Sequence, residues 1–460
     1  VNHTETDVAA LRAHVDELFP AIRADLEALV RIPSVSAAAF DQAHVASSAD
    51  AVAALMREVG LPDVRVLRAE RPDGTPGAPA VVARRPAREG EPTVLLYAHH
   101  DVQPPGDAAT WETDPFEPTQ VGERLFGRGA ADDKAGIMAH VGALRALAAL
   151  GDDLGVGVTV FAEGEEESGS PSFAQFLADH RDLLAADVIV VADSTNWKVG
   201  VPALTTSLRG LVDGVVTVEV LEHAVHSGMF GGPVLDANLL LARLLTTLHD
   251  AEGNVAVRGL ASAGEPEVDY AEADFRSDAS VLDGVELAGA GTIAGRLWTK
   301  PAIAVIGIDA TSVAHASNTL APRSAAKLSV RIPPGTEPQD AEDALRTHLE
   351  EHAPFGARVT WAPGEKGRAF GAPADSAAMR AARNAFAAAW GTAPVDIGVG
   401  GSIPFIADLL EAFPEAAVLV TGVEDPDSRA HGANESVHLG ELRKVVLAEA
   451  LLLREVARSL

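Results

Sequence analysis

Residues Gly127–Lys134 read GRGAADDK. Two adjacent aspartates stand between a strand-like segment and Ala135–Leu150, a stretch that is apolar on nearly every face. A helix apolar all round is a buried helix. Asp132 and Asp133 are therefore expected at the mouth of a core, not on an open surface. Gly127 and Gly129 free the backbone to turn into such a place.

The flanking chain repeats one theme. Thr93–Ala98 (TVLLYA), Val156–Ala162 (VGVTVFA) and Asp187–Ala192 (DVIVVA) are continuous apolar runs, the pattern of strands buried on both faces. Each ends in acidic or imidazole side chains: His99-His100-Asp101, then Glu163, Glu165, Glu166 and Glu167, then Asp193. Apolar spacing predicts helices over 7–31, stopped by Ile32-Pro33, and over 47–59, ended by Gly60. Strands alternating with helices imply an α/β fold, a mixed, mainly parallel sheet with flanking helices. Ligands of such sheets gather beyond the carboxyl ends of the strands.

From about 205 the pattern changes. Gly210–Val220 alternates, with Val212, Val216, Val218 and Val220 on one parity. A helix is expected at 234–249, strands at 302–308 and 325–332, a helix at 338–351 and a strand at 357–361. That order, β-α-β-β-α-β, is the ferredoxin-like α+β unit. Residues 205–363 thus read as an inserted domain, and 1–204 with 364–460 as one discontinuous domain. The stretch 252–300 is too long for a simple loop of that unit. A helix at 376–390, a glycine-rich segment Gly398–Ser402, a strand at 417–421, His431 and a helix at 440–458 complete the chain.

Composition narrows the chemistry. The 460 residues include no cysteine, which excludes disulfides, thiol nucleophiles and thiolate metal sites. With 36 basic against 66 acidic residues the net charge is -30, which disfavours nucleic acid as a partner. No apolar run reaches the roughly 18 residues of a membrane span, and the opening VNHTETDVAALRAHVDELF is polar and amphipathic. The expectation is a cytoplasmic enzyme with no nucleic-acid or membrane partner. A carboxylate and imidazole donor set suits zinc, and also manganese or cobalt. Taken singly, each candidate has a plain structural reading: Asp132-Asp133 and Asp193 as helix caps, the glutamates as a solvated turn, His431 as a loop histidine. Their recurrence at strand ends argues for one shared site, in which either aspartate of the pair could join two ions.

The series YAHHDVQP, LFGRGAADDK, EGEEESGS, Asp193 in VVADS, HSGMFGG and HGANE resembles, in order, the motifs of the carnosinase, aminoacylase and carboxypeptidase G family of di-zinc peptidases. With IPSVS at Ile32–Ser36 the resemblance spans nearly the whole chain, and it is nearest to the carnosinase-like dipeptidase branch. It implies a zinc-exopeptidase catalytic domain, an inserted lid and dimerisation domain, two Zn2+ per subunit and a homodimer formed through the lid. His99 and Asp193 would hold one ion and Glu167 and His431 the other. Asp132 would bridge them, its peptide bond to Asp133 being cis. Asp101 would orient His99, and Glu166 would be the general base and then the acid. His226, in HSGMFGG, would steady the oxyanion in the neighbouring subunit. Arg331 would grip the substrate carboxylate, and Ser402 and Thr319 would touch the substrate. The implied reaction is hydrolysis of dipeptides or short peptides by a metal-bound hydroxide. The alternatives are an N-acyl-amino-acid amidohydrolase and a non-catalytic metal-binding relative. Two departures from the family pattern bear on substrate preference: Ala135 precedes the glycine expected after DDK, and STNW follows the third strand.

Overall fold

The computed structural model describes residues 5–151, 154–373, 375–401 and 404–460. These fall into two compact units. One takes Val1–Thr206, Ala372–Ile397 and Pro404–Leu460; the other takes Ser207–Gly371 and Gly398–Ile403.

The first unit opens with α1 (Glu5–Val30) and α2 (Ala43–Glu58). There follow β1 (Asp63–Leu67), β2 (Ala80–Arg85), β3 (Thr93–His99), α3 (Lys134–Leu150), β4 (Gly157–Glu163), α4 (Phe173–Leu184), β5 (Val188–Val191) and β6 (Ala203–Leu208). The apolar runs of β3, β4 and β5 are buried along almost their whole length. α3 is buried from Lys134 through Leu144 and packs between α1 and the last helix of the chain, as its uninterrupted apolar sequence requires. The helix 173–184 has no counterpart among the sequence expectations.

The second unit contains β7 (Gly210–Glu219), α5 (Ala237–Thr246), β8 (Ala302–Asp309), β9 (Arg323–Ile332), α6 (Pro338–Glu351) and β10 (Arg358–Gly367). Its sheet runs β8-β9-β7-β10, antiparallel throughout, which is the ferredoxin-like order. Val212, Val216 and Val218 face Leu240, Leu244, Leu345 and Leu349 in one core, so the alternation of β7 does select its buried face. Residues 252–300, too long for a loop, carry two short helices, Glu272–Asp278 and Ile293–Trp298, the second anchored by buried Trp298.

The chain then returns to the first unit with α7 (Ala377–Trp390), β11 (Ala417–Val420) and α8 (Leu439–Ser459). The large sheet has the order β1-β2-β4-β3-β5-β11-β6 through this unit. Its centre is parallel (β4 with β3, β3 with β5, β5 with β11), and β1, β2 and β6 join antiparallel. Register decides what comes next. His99, the last residue of β3, lies opposite Glu163, the last of β4. Tyr97 lies opposite Val191, and Val191 opposite Val420. The loops after β3, β4, β5 and β11 therefore leave from one level of the sheet.

Candidate metal centre

The loop after β3 is fixed from two sides. The Ser34 hydroxyl donates to the His100 carbonyl at 2.6 Å, and Val102 N–H donates to the Ser34 carbonyl at 3.0 Å, so IPSVS brackets the His99–Asp101 turn. His99 is fully buried. Its Nδ1 faces the Asp101 carbonyl at 3.1 Å and the Asp101 carboxylate at 3.4 Å. Its Nε2 points to Asp132 Oδ1 at 2.9 Å.

Asp132 has a second imidazole at its other oxygen: His431 Nε2 lies 3.1 Å from Oδ2 and 3.2 Å from Glu167 Oε2. The bond from Asp132 to Asp133 is cis. Asp133 begins α3 but makes no side-chain cap bond. Its carboxylate instead accepts the His99 N–H at 3.1 Å, so the capping reading of the pair does not apply. Gly136 explains the local tightness: a Cβ there would meet the Asp133 carboxylate and the Ala192 carbonyl, the latter at 2.8 Å. The glycine one position later than the family pattern is the one that lets α3 approach the end of β5.

The glutamates after β4 divide their work. Glu163 accepts the Tyr97 hydroxyl at 2.8 Å. Glu165 is neutralised by Arg71 at 2.9 Å and takes Ala78 N–H and Ser172 N–H. Glu166 and Glu167 remain for the centre. Asp101 accepts their N–H groups at 3.2 and 3.1 Å, and Gln103 donates to the Glu167 carboxylate through its amide at 2.7 Å and its backbone at 3.1 Å. Asp193 lies two positions past the end of β5.

The charges do not balance within the protein. Burial, reinforced by neighbouring carboxylates, lifts Asp193 to about 7 and Glu166 to about 9. His431 rises to about 11 through its contacts with Asp132 and Glu167. Burial opposes protonation of His99, yet the Asp101 and Asp132 contacts hold its pKa well above that of a free imidazole. Two donor groups, His99–Asp132–Glu167 and His99–Glu166–Asp193, each place their ligand atoms within 4.8 Å of one another. Nitrogen and oxygen donors crowded with uncompensated negative charge fit divalent cations of the zinc class.

The first unit thus brings together His99, Asp101, Asp132, Glu166, Glu167, Asp193 and His431. His226, Thr319 and Arg331 belong to the second unit. There His226 and Thr319 are register partners, both exposed. His226 Nδ1 accepts Gly228 N–H at 3.1 Å, which leaves the hydrogen of the neutral ring on Nε2. Arg331, in β9, is half-buried and close enough to Arg209 that burial and then its charge lower Arg209 to about 10. Ser402 lies outside the described residues.

Three residues of the centre escaped the sequence reading. Glu424 follows β11, and its pKa is raised well above the usual range by burial and then by Asp132 and Asp193. Its backbone carbonyl accepts Asn196 N–H at 2.8 Å, and Gly422 lets the two loops cross, since a Cβ there would overlap the Ser194 backbone. The strand-end rule that singled out the other candidates would have found it. Glu435 and Arg128 sat inside quoted motifs, but nothing in their spacing assigns them a partner.

The model of peptidase family M20/M25/M40 matches residues 95–455. A cysteinylglycine-S-conjugate dipeptidase of Corynebacterium striatum is 36% identical over 367 residues, 78% of this chain and 80% of that protein. The human Beta-Ala-His dipeptidase is 29% identical over 391 residues, 80% of this chain and 76% of its own. In fold, the crystal structure of human carnosine dipeptidase 1 matches with a TM-score of 0.75 at 24% identity, covering 100% of both chains.

Proposed function

The chain belongs to peptidase family M20/M25/M40, and on that premise we propose that it is a dipeptidase with two zinc ions per subunit. Family membership makes it a metal-dependent peptidase. The observation that carries the two-ion reading is Asp132, whose two oxygens face two different imidazoles, those of His99 and His431. We assign His99 and Asp193 to one ion, Glu167 and His431 to the other, and Asp132 to both. Bound there, the ions would polarise the scissile carbonyl and lower the pKa of an attacking water.

The remaining chemistry is done by side chains. Glu166 takes the proton of the attacking water and passes it to the departing amine. A carboxyl placed beside that water can hold the proton between the two steps. Asp101 keeps His99 in the tautomer that presents a bare Nε2. His226 donates its Nε2 hydrogen to the developing oxyanion of a neighbouring subunit. Arg331 takes the terminal carboxylate of the substrate. Its planar fork can take a carboxylate through two parallel hydrogen bonds. Ser402 and Thr319 complete the proposed substrate contacts.

Dipeptides are favoured over N-acyl amino acids by the surplus of acid. Glu424 adds a further carboxyl near Asp132 and Asp193, an environment suited to a free ammonium group and not to a neutral acyl chain. We take the discontinuous unit as the catalytic domain and the inserted unit as lid and dimerisation domain. The edge strand β8 exposes Val305, Ile306 and Ile308, and an apolar edge of this kind calls for a partner. Among the described residues no helix is long and apolar enough to cross a membrane.

The deciding experiment loads the metal-free protein with Zn2+, Mn2+ or Co2+ and offers a panel of dipeptides and N-acyl amino acids. Dipeptide turnover is expected. Turnover of the acyl compounds alone would make it a deacylase, and no turnover with metal bound would leave a binding module.

A further inference from the structure

Asp132 and His431 reside on loops some three hundred positions apart, and both loops are brought to one place by a small sheet that the sequence does not announce. Arg124–Phe126 pairs antiparallel with Ser436–His438, Phe126 opposite Ser436. Gly127 therefore starts one loop where Glu435 finishes the other, and Gly127 N–H donates to the Glu435 carbonyl at 2.9 Å.

Each loop then sends one charged side chain into the other. Glu435, fully buried, accepts Gly129 N–H at 3.0 Å on Oε2, and Ala131 N–H at 3.0 Å and Asp132 N–H at 3.1 Å on Oε1. Arg128, 1% exposed, donates through Nη2 to the carbonyls of His431 at 3.1 Å and Gly432 at 3.0 Å. The two side chains meet at 2.5 Å, Arg128 Nη1 to Glu435 Oε2. His431 has a φ of 61° and Asn434 one of 61°, left-handed values that side chains adopt at a cost and that neighbouring contacts must enforce.

We propose that Arg128 and Glu435 form a reciprocal brace that sets the separation of Asp132 and His431, making both positioning residues for the ion held on the His431 side. Neither side chain contacts the proposed ligands' own donor atoms; they hold the backbone on either side. The brace bonds the backbone of His431 and of Asp132 but not that of His99 or Asp193, so it places two ligands of the ion on the His431 side and only the shared Asp132 of the other, and its larger effect falls on the first. The proposal rests on the two-ion reading above.

The test is zinc binding by the full-length metal-free protein, measured by competition with a chelating dye. The wild-type chain is expected to bind two ions. Glu435→Gln keeps the shape but removes the charge and an acceptor; Arg128→Lys keeps the charge but removes the fork. Each is expected to weaken one ion about 10- to 100-fold, as loss of a ligand-orienting partner does, and to weaken the other, which loses only the placement of Asp132, to a lesser degree. In a His431→Ala background, where that ion is already lost, Glu435→Gln should show only the lesser effect that reaches the remaining ion through Asp132. In an Asp193→Ala background it should act in full. Equal weakening of both ions, in either variant, would mean a general structural role and overturn the proposal, as would unchanged affinity. A wild-type chain that binds a single ion would remove the two-ion reading and the brace's object with it.

Discussion

Asp101 accepts the backbone N–H of Glu167 at 3.1 Å. The same carboxylate takes the Glu166 N–H and stands 3.4 Å from His99 Nδ1, so one aspartate registers two proposed ligands, Glu167 and His99, and the proposed base, Glu166. Asp101→Asn preserves size and replaces one acceptor oxygen with a donor. The expected outcome is a 10- to 100-fold fall in zinc affinity or activity, in line with other changes behind a metal ligand. Dye competition and steady-state kinetics on one dipeptide check it.

Adjacent glutamates with different jobs give a sharper prediction. Glu167→Ala should lose an ion, because Glu167 shares His431 with Asp132. Glu166→Ala should retain both ions and lose about 10²- to 10⁴-fold in kcat, the usual worth of a general base. Metal analysis beside kinetics distinguishes them. Since Glu166 also groups with His99 and Asp193, loss of an ion from Glu166→Ala would mean that it ligates.

The contrast between Glu166 and Glu165 shows what a sequence can and cannot disclose here. Apolar runs reveal β3, β4 and β5 because burial on both faces demands them, and a parallel centre then places His99, Glu166 and Asp193 at one level. Alternation in β7 and the spacing of α6 disclose the ferredoxin-like unit for the same reason. What stays hidden is pairing between distant side chains. That Arg71 neutralises Glu165, or that Arg128 reaches His431, depends on loops whose meeting has no periodic signature. The short strands Arg124–Phe126 and Ser436–His438 are likewise too brief to show a pattern. The choice of Asp132 over Asp133 as the proposed bridge rests on family resemblance; in the fold, the Asp133 carboxylate is engaged with His99 N–H.

Metal removal should make stability strongly pH-dependent. Without ions, burial raises Asp193 to about 7, Glu163 to about 8 and Glu166 to about 9, while His431 rises to about 11 through Asp132 and Glu167. A group whose folded pKa is raised stabilises the fold below its unfolded pKa and loses that contribution as pH climbs through the folded one. The metal-free protein should therefore lose stability from about pH 5 to pH 9. Lys134, which burial lowers to about 7, and His100, lowered to about 4, act oppositely but are outnumbered. Ions displace these protons. The gap in Tm between zinc-loaded and chelated protein should then widen from pH 5 to pH 9, as thermal scans in matched buffers would record; a constant gap would contradict the proton release.

Recognition of a free amino group can be separated from recognition of a carboxylate. Glu424→Gln should raise KM for dipeptides about 10-fold or more, while slow turnover of N-acetylated dipeptides stays unchanged, because only a free ammonium would draw on that carboxyl. Arg331→Ala should do the converse, penalising free-carboxyl substrates and sparing their amides. If both variants penalise all four substrate forms equally, neither residue reads a terminus.

The last prediction concerns assembly. Ile306 and Ile308 are 57% and 58% exposed on the edge strand β8, an apolar strip that is costly to leave in water. Replacing both with aspartate should convert a dimer to a monomer in sedimentation and, if His226 serves the neighbouring subunit, abolish turnover while the ions stay bound. His226→Ala and Glu166→Ala chains should each be inactive alone. Mixed and allowed to exchange, they form some dimers in which one site has an intact Glu166 from its own chain and an intact His226 from the other. Random pairing would put half the dimers in that mixed form, each with one working site, so recovery should approach about a quarter of wild-type activity. An active monomer, or mixed dimers with no recovered turnover, would place His226 outside the neighbour's reaction.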